Sequence, residues 1–177
     1  LLPIPVKQMV LFIYETGCRP SEAMAIKREH VELEKKIAIL NFRKAGDNAL
    51  VALTSRAVEA IRATPELPGC PYVFWNRKTG TRYQRINETF NRAREKAGLP
   101  WVQLKDFRRA VAIAIAESGA PLHVAKTQLG HSTIRTTENA YAHYSPEYAV
   151  NVAREVLENR GRKTGGQDPD RTPPKNL

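Results

Sequence analysis

The chain has 177 residues, 42% of them hydrophobic, which is enough to bury one core and favours a single domain over several. Its two cysteines, Cys18 and Cys70, exclude a disulfide framework and lack metal-ligand spacing, so we expect a reducing, cytoplasmic compartment. The longest apolar run, residues 110–116, has seven residues. A membrane span needs roughly 20, so no membrane association is expected.

The charge of the chain points to a polyanionic partner. The formal net charge is +10, of which residues 160–177 carry +3, so the rest of the chain keeps +7. A basic body is typical of proteins that bind nucleic acid, although a basic protein without such a partner has the same composition. Because the chain begins at Leu1 rather than Met, inside a hydrophobic segment, we expect it to be a piece of a longer protein.

In chain order, the first predicted elements are two helices and a small sheet. Apolar residues at helical spacing predict a helix over residues 1–13, which Gly17 ends, and Pro20 then stands near the first position of a second helix. Three short, partly β-branched runs separated by turn-forming residues predict a three-stranded antiparallel sheet. After the sheet, Thr54 or the next residue caps a third helix. The predicted strands are residues 30–33, 37–42 and 50–53.

The remaining elements are predicted to be mainly helical. Asp106 is the predicted N-cap of a helix, and residues 111–116, apolar on all sides, are predicted to lie at the centre of the core. Pro121 opens another helix and Gly130 ends it. The other predicted segments are an extended stretch at 72–75, a basic helix at 87–97, a last helix from 146 to about 159, and a basic, disordered tail at 160–177.

Four basic positions stand where an anion could be bound. Arg19 directly precedes a helix start, where free backbone N–H groups favour negative charge. Lys44 lies in the predicted turn between the second and third strands, residues 105–109 lie at another helix start, and His131 follows a helix-ending glycine. Each position alone is typical of a solvated surface charge. Their occurrence together, with tyrosines downstream, indicates a functional site.

Taken in order, these positions fall within motifs of one known family. The motifs are TGCRPSEAMAI at 16–26, a hairpin lysine, LKDFRRA at 104–110, LGHSTIRTTENAY at 129–141 and AHYSPE at 142–147. In this order and at these separations they resemble the catalytic domain of the tyrosine recombinases, the phage-integrase family, from about residue 6 to residue 159. The resemblance implies an α+β, mainly α fold with a small three-stranded antiparallel sheet.

The resemblance also implies a role for each matching residue. Arg19 and Arg108 match the two arginines that clamp the scissile phosphate. Lys44 matches the general acid toward the leaving 5′ oxygen, and Tyr141 matches the nucleophile. The implied catalytic residues are Arg19, Lys44, Lys105, Arg108, His131 and Tyr141, with Glu22 supporting the site and His143 as an orienting or structural neighbour.

Elementary chemistry is consistent with those roles. Breaking a phosphodiester without a metal requires its transition-state charge to be spread over fixed donors, and guanidinium groups donate in a planar, bidentate way. A phenol, with a pKa of about 10, needs nearby cations to favour phenolate. No cofactor or metal is implied. A metal site at His131 and His143 would lack a third ligand at sensible spacing.

The chain departs from the family pattern at two points. Lys105 stands where most members have histidine, and with a pKa of about 10.4 it cannot act as a base at neutral pH, so we expect altered proton transfer. The interval from His131 to Tyr141 is one residue longer than in many members. Tyr141, Tyr144 and Tyr148 share the spacing of one helical face, which is also typical of an aromatic packing stripe. Tyr141 is favoured because it follows the Thr-Thr pair and precedes Ala-His.

The implied function is site-specific cleavage and rejoining of DNA through a 3′-phosphotyrosine, as in integration, excision or chromosome-dimer resolution. The implied partners are double-stranded DNA and other copies of the chain, four on two duplexes, in a bacterial or phage-encoded, nucleoid-associated setting. Residues 1–159 would form the catalytic domain, without the family's N-terminal DNA-clamping domain. Two other classes stay open: a type IB topoisomerase, which relaxes DNA alone, and a DNA-binding module without activity.

Overall fold

The computed structural model describes residues 2–41 and 48–130, together with residues 150, 153, 154 and 158. Over this part of the chain, helices surround one three-stranded antiparallel sheet, which confirms the predicted α+β, mainly α architecture. None of the described helices is both long and apolar enough to cross a bilayer. The elements are α1 (Ile4–Thr16), α2 (Pro20–Ala25), a 3-10 helix (Arg28–His30), β1 (Val31–Glu32), β2 (Ile37–Asn41), β3 (Asn48–Ala52), α3 (Ser55–Arg62), α4 (Asn87–Lys96), α5 (Leu104–Glu117) and α6 (Leu122–Leu129).

Helix α1 lies at the centre of the core. Its residues Met9, Phe12 and Ile13 are completely buried, and they follow the three- and four-residue spacing of one helical face. The ring of Phe12 packs against that of Phe74, with 5.4 Å between the ring centroids. Helix α1 contacts α2, α3 and α5, so its buried face fixes the relative positions of these elements.

The sheet is built from two antiparallel pairs in the order β1–β2–β3. Between β2 and β3 the register begins at Ile37 opposite Ala52. Successive residues of β3 alternate between core and solvent: Val51 is buried, whereas Leu50 is 52% exposed. Strand β3 lies at the edge of the sheet, and α6 packs against it.

Several helix caps agree with the sequence-based prediction, whereas α1, predicted over residues 1–13, runs from Ile4 to Thr16, and the cap of α5 differs. The Thr54 hydroxyl accepts the N–H of Ala57 at 3.1 Å, and Gly130 ends α6 in the left-handed region. The prediction that Asp106 is an N-cap was wrong. Gln103 is the N-cap of α5, and Asp106, in the first turn, accepts the backbone N–H of Gln103 at 2.8 Å. A carboxylate at either position satisfies a free N–H at the helix start, so sequence alone does not separate the two positions.

The predicted place of residues 111–116 at the centre of the core was also wrong. Of these residues only Ala112 is buried, and Ala114 is exposed. Helix α5 packs against α1 and α6, and small alanines can face solvent at little cost. The core is centred on α1 instead.

The chain forms two compact units, Leu1–Tyr141 and Ala142–Leu177. All the elements named above belong to the first unit. The predicted boundary between a domain at 1–159 and a tail at 160–177 stays a prediction, since most residues around it lie outside the described part of the chain.

Candidate active site

Arg19 is positioned by the start of α2. It is the N-cap residue of this helix, and Pro20 pre-sets the first helical position. The buried carboxylate of Glu22 accepts both the backbone N–H of Arg19 at 2.7 Å and its Nη1 at 2.8 Å. The Arg19 side chain remains 47% exposed. Glu22 therefore holds one edge of a guanidinium that stays accessible from solvent.

Arg108 is positioned by the ends of two other helices. It lies in α5, half-buried, and donates from Nη1 to the carbonyl oxygen of Gly17 at 2.9 Å and from Nη2 to that of Leu129. Both carbonyls lie at helix C-terminal ends, one at the end of α1 and the other at the end of α6. Such carbonyls carry partial negative charge, so they stabilise a cation and fix its plane.

Gly17 brings these elements together. Its φ of 69° lies in the left-handed region, and a Cβ at this position would meet Leu129 Cδ2 at 2.6 Å and Val111 Cβ at 3.0 Å. Only glycine lets α1, α5 and α6 approach so closely. Because Arg19 follows Gly17 by two residues, their Cα atoms are less than about 7.6 Å apart. The two arginines are therefore anchored around the same short segment.

Lys105 lies in the first turn of α5, one turn before Arg108, and is exposed. It borders an open, polar groove of about 450 Å³ between the start of α2, α4 and the start of α5. Arg94 braces this region by donating to the carbonyl oxygen of Val102 at 2.6 Å. The polar residues around the groove are Asn87, Asn91, Arg94, Gln103 and Lys105. A groove with amide and cationic donors next to Arg19 suits a polyanion.

Cys18 stands between Gly17 and Arg19 but takes no part in the site. Burial raises the pKa of its thiol from 9.0 to about 12, and the opposing effects of the Thr16 hydrogen bond and of Arg108 are smaller. The thiol is therefore neutral at physiological pH and is a poor nucleophile. Within the described ranges, no group of three or more potential metal ligands is present.

Four predicted site residues lie outside the described residues: Lys44, His131, Tyr141 and His143. The same holds for the other two tyrosines of the predicted stripe. The structure describes only the elements next to Lys44 and His131 in the chain. Strands β2 and β3 flank the segment that contains Lys44, and α6 ends at Gly130, directly before His131.

Sequence reasoning missed one polar residue close to this region. Gln128, in the last turn of α6, hydrogen-bonds to the backbone of Ala52 and of Thr16. Nothing in the local sequence marks it, because its partners are 76 and 112 residues away.

Comparison with known proteins identifies the family. The profile of the "Phage integrase family" matches residues 2–148. Tyrosine recombinase XerD of Bifidobacterium longum is 30% identical over 160 residues, which cover 81% of this chain and 51% of that protein. The chain thus spans about half the length of the curated relatives it matches.

Solved structures agree in fold. The catalytic domain of bacteriophage HP1 integrase matches with a TM-score of 0.59 and 24% identity, over 93% of this chain and 84% of that one. XerH site-specific recombinase bound to difH substrate matches with a TM-score of 0.65 and 20% identity, over 83% of this chain and 45% of that one. The family profile, the curated relative and the shared fold point the same way, and this chain belongs to the phage integrase family of tyrosine recombinases.

Proposed function

We propose that this chain forms the catalytic domain of an enzyme that cleaves and rejoins DNA at specific sites through a covalent 3′-phosphotyrosine. The observation that carries the proposal is the anchoring of Arg19 and Arg108 around one short segment. Glu22 orients the first arginine, and the carbonyls of two helix ends orient the second. Two guanidiniums fixed in advance are suited to the charge that develops on a phosphate under attack.

In the proposed reaction the phenol oxygen of Tyr141 attacks phosphorus after losing its proton to a base or to solvent. The bond between phosphorus and the 5′ oxygen breaks, the 3′ phosphate stays on the tyrosine, and the 5′ oxygen takes a proton from Lys44. Arg19 and Arg108 stabilise the charge on the non-bridging oxygens. In the reverse direction a 5′ hydroxyl attacks the phosphotyrosine, so the energy of the original bond is kept and rejoining needs no ATP.

The other predicted residues have supporting roles in this scheme. Lys105 donates to a phosphate oxygen from the first turn of α5, consistent with its exposure beside the polar groove. His131 is a second donor to the phosphate, and His143 orients its neighbours. Glu22 keeps Arg19 in place, as its two contacts with that residue suggest.

Duplex DNA is the proposed substrate and partner. The net charge of +7 on residues 1–159 and the groove beside Lys105 both favour a polyanion. The structural neighbour XerH was solved on its difH substrate. We place four copies on two duplexes, with residues 1–159 as catalytic domain, a DNA-clamping domain in the remaining part of the full-length protein, and the bacterial nucleoid as the place of action.

Two alternatives make different predictions. A type IB topoisomerase would relax supercoiled plasmid as a single copy, without a specific site. A DNA-binding module without activity would bind DNA but form no covalent adduct. The fixed geometry of Arg19 and Arg108 favours catalysis, since a module that only binds DNA has no need of two oriented guanidiniums.

The test is covalent capture. The full-length protein is incubated in EDTA with a pool of nicked duplexes of randomised sequence, and denaturant-resistant complexes are recovered and sequenced. We expect an adduct on a defined sequence, abolished by Tyr141→Phe and retained by Tyr144→Phe. Absence of any adduct with the unmodified protein would favour the module without activity.

A further inference from the structure

Gln128 links three elements through one side chain. Its Oε1 accepts the backbone N–H of Ala52 at 2.9 Å, while its Nε2 donates to the carbonyl oxygens of Ala52 at 3.2 Å and of Thr16 at 3.1 Å. Rotating the amide by half a turn would set its NH₂ against an N–H and its oxygen against two carbonyls. The hydrogen bonds therefore define a single orientation of the amide.

At Ala52 the amide of Gln128 takes the place of a neighbouring strand. Ala52 is the last residue of β3 and lies opposite Ile37 of β2. The next residue, Leu53, donates its N–H to Lys36 on the β2 side, whereas the N–H of Ala52 is donated to Gln128. Gln128 thus satisfies both backbone groups of Ala52 at the edge of the sheet and ties β3 to α6.

The three linked elements are the ones that lead to the proposed catalytic groups. Strand β3 continues the segment that contains Lys44, α1 ends three residues before Arg19, and α6 ends at Gly130, next to His131. Arg108 binds the carbonyl oxygens of Gly17, which follows Thr16, and of Leu129, which follows Gln128. Gln128 adds direct hydrogen bonds to the last residue of β3.

We propose that Gln128 is a positioning residue, which holds β3 in register with the helix ends around Arg19 and Arg108. Because β3 directly follows the segment that contains Lys44, the position of β3 sets where that segment begins and ends its approach to the site. The inference rests on the proposed function and goes beyond it, because it assigns the placement of the general acid to a residue outside the family motifs. A displacement of about 1 Å at a catalytic group can cost on the order of 100-fold in rate. Loss of the amide should therefore slow protonation of the leaving oxygen without removing a group that touches DNA.

The test uses the full-length protein and the duplex selected by covalent capture, in two forms. One form has the ordinary 5′ oxygen at the scissile phosphate, and the other has sulfur at that position, which leaves as thiolate without being protonated. Gln128→Leu should cleave the ordinary duplex roughly 10- to 100-fold more slowly than the unmodified protein and should recover most of its rate on the sulfur duplex. Lys44→Ala should show the same rescue, and Arg19→Ala should stay slow on both. Thr127→Ala, an exposed position next in the same helix, should cleave both forms normally.

A second measurement reads the hydrogen bonds themselves. In Gln128→Leu the backbone N–H of Ala52 should exchange with solvent faster than in the unmodified protein. In Gln128→Glu a carboxylate oxygen can still accept that N–H, so its exchange should stay slow while both donated bonds are lost. Cleavage by Gln128→Glu should then lie between that of the unmodified protein and that of Gln128→Leu.

The outcomes separate the two proposals. If the unmodified protein forms no adduct, the proposed function fails and the role of Gln128 fails with it. If the unmodified protein cleaves and Lys44→Ala is rescued by sulfur, but Gln128→Leu cleaves normally or is equally slow on both duplexes, only the role of Gln128 is overturned.

Discussion

Replacing Gly17 by alanine tests the close approach on which the site depends. The left-handed backbone of Gly17 costs a non-glycine residue roughly 1–2 kcal/mol. The new Cβ would also lie 2.6 Å from Leu129 Cδ2 and 3.0 Å from Val111 Cβ. The leucine methyl can rotate away, but Val111 Cβ is fixed to the backbone of α5, so the helices must move. Overpacking of this kind costs about 1–3 kcal/mol. We expect a total loss of about 2–5 kcal/mol in the free energy of unfolding.

Gly98 and Gly119 provide matched controls. Both have positive φ, 73° and 74°, and a Cβ at either would meet no atom within 4 Å. Gly98→Ala and Gly119→Ala should therefore lose only the backbone contribution of about 1–2 kcal/mol. Urea denaturation of the three variants measures the difference. A Gly17→Ala protein no less stable than the two controls would refute the close packing of α1, α5 and α6 at this glycine.

Three further predictions concern the thiol, the ion pair and the DNA. Burial raises the pKa of the Cys18 thiol from 9.0 to about 12, so the stability that the buried neutral thiol contributes is complete below pH 9. This contribution is lost as pH rises toward 12, by up to about 1.4 kcal/mol per pH unit. Urea denaturation at pH 8 and pH 10 should show the decrease, and Cys18→Ala should remove it. Glu22→Ala frees the Arg19 guanidinium and should slow DNA cleavage by up to about 100-fold. Glu22→Gln keeps an acceptor oxygen and should slow cleavage less. Equal cleavage rates for the two variants would contradict the orienting role of Glu22. DNA affinity should fall steeply with salt, with a slope of log K on log salt of about −0.9 per phosphate contact, and a salt-independent affinity in filter binding would contradict a DNA-facing basic surface.

Local rules were enough to predict most of the fold from the sequence. Glycine and proline at helix ends and short, partly β-branched runs are signals that act over a few residues, so the helix ends at Gly17 and Gly130 were placed correctly. The cap of α3 was narrowed to Thr54 or the next residue, and Thr54 is the one observed. The fold class also followed from the order of the motifs. The errors arose where one local pattern fits two structures, as at Asp106, or where an apolar stretch is mostly only half-buried, as at residues 111–116 of α5.

The arrangement of the candidate site could be predicted only in part. The resemblance named Arg19, Glu22, Lys105 and Arg108, but it did not indicate what orients them. The acceptors of Arg108 lie 91 and 21 residues away in sequence, and those of Gln128 are as distant. Contacts of this range leave no periodic trace in a single sequence, so only the folded chain reveals them.

The most direct measurement of the proposed chemistry is the position of the covalent bond. The adduct captured on the selected duplex is digested with protease and nuclease, and the modified residue is located by fragmentation mass spectrometry. We expect a nucleotide, joined through its 3′ phosphate, on Tyr141 and on no other tyrosine. A nucleotide on Tyr144 or Tyr148, or one joined through a 5′ phosphate, would contradict the proposed mechanism.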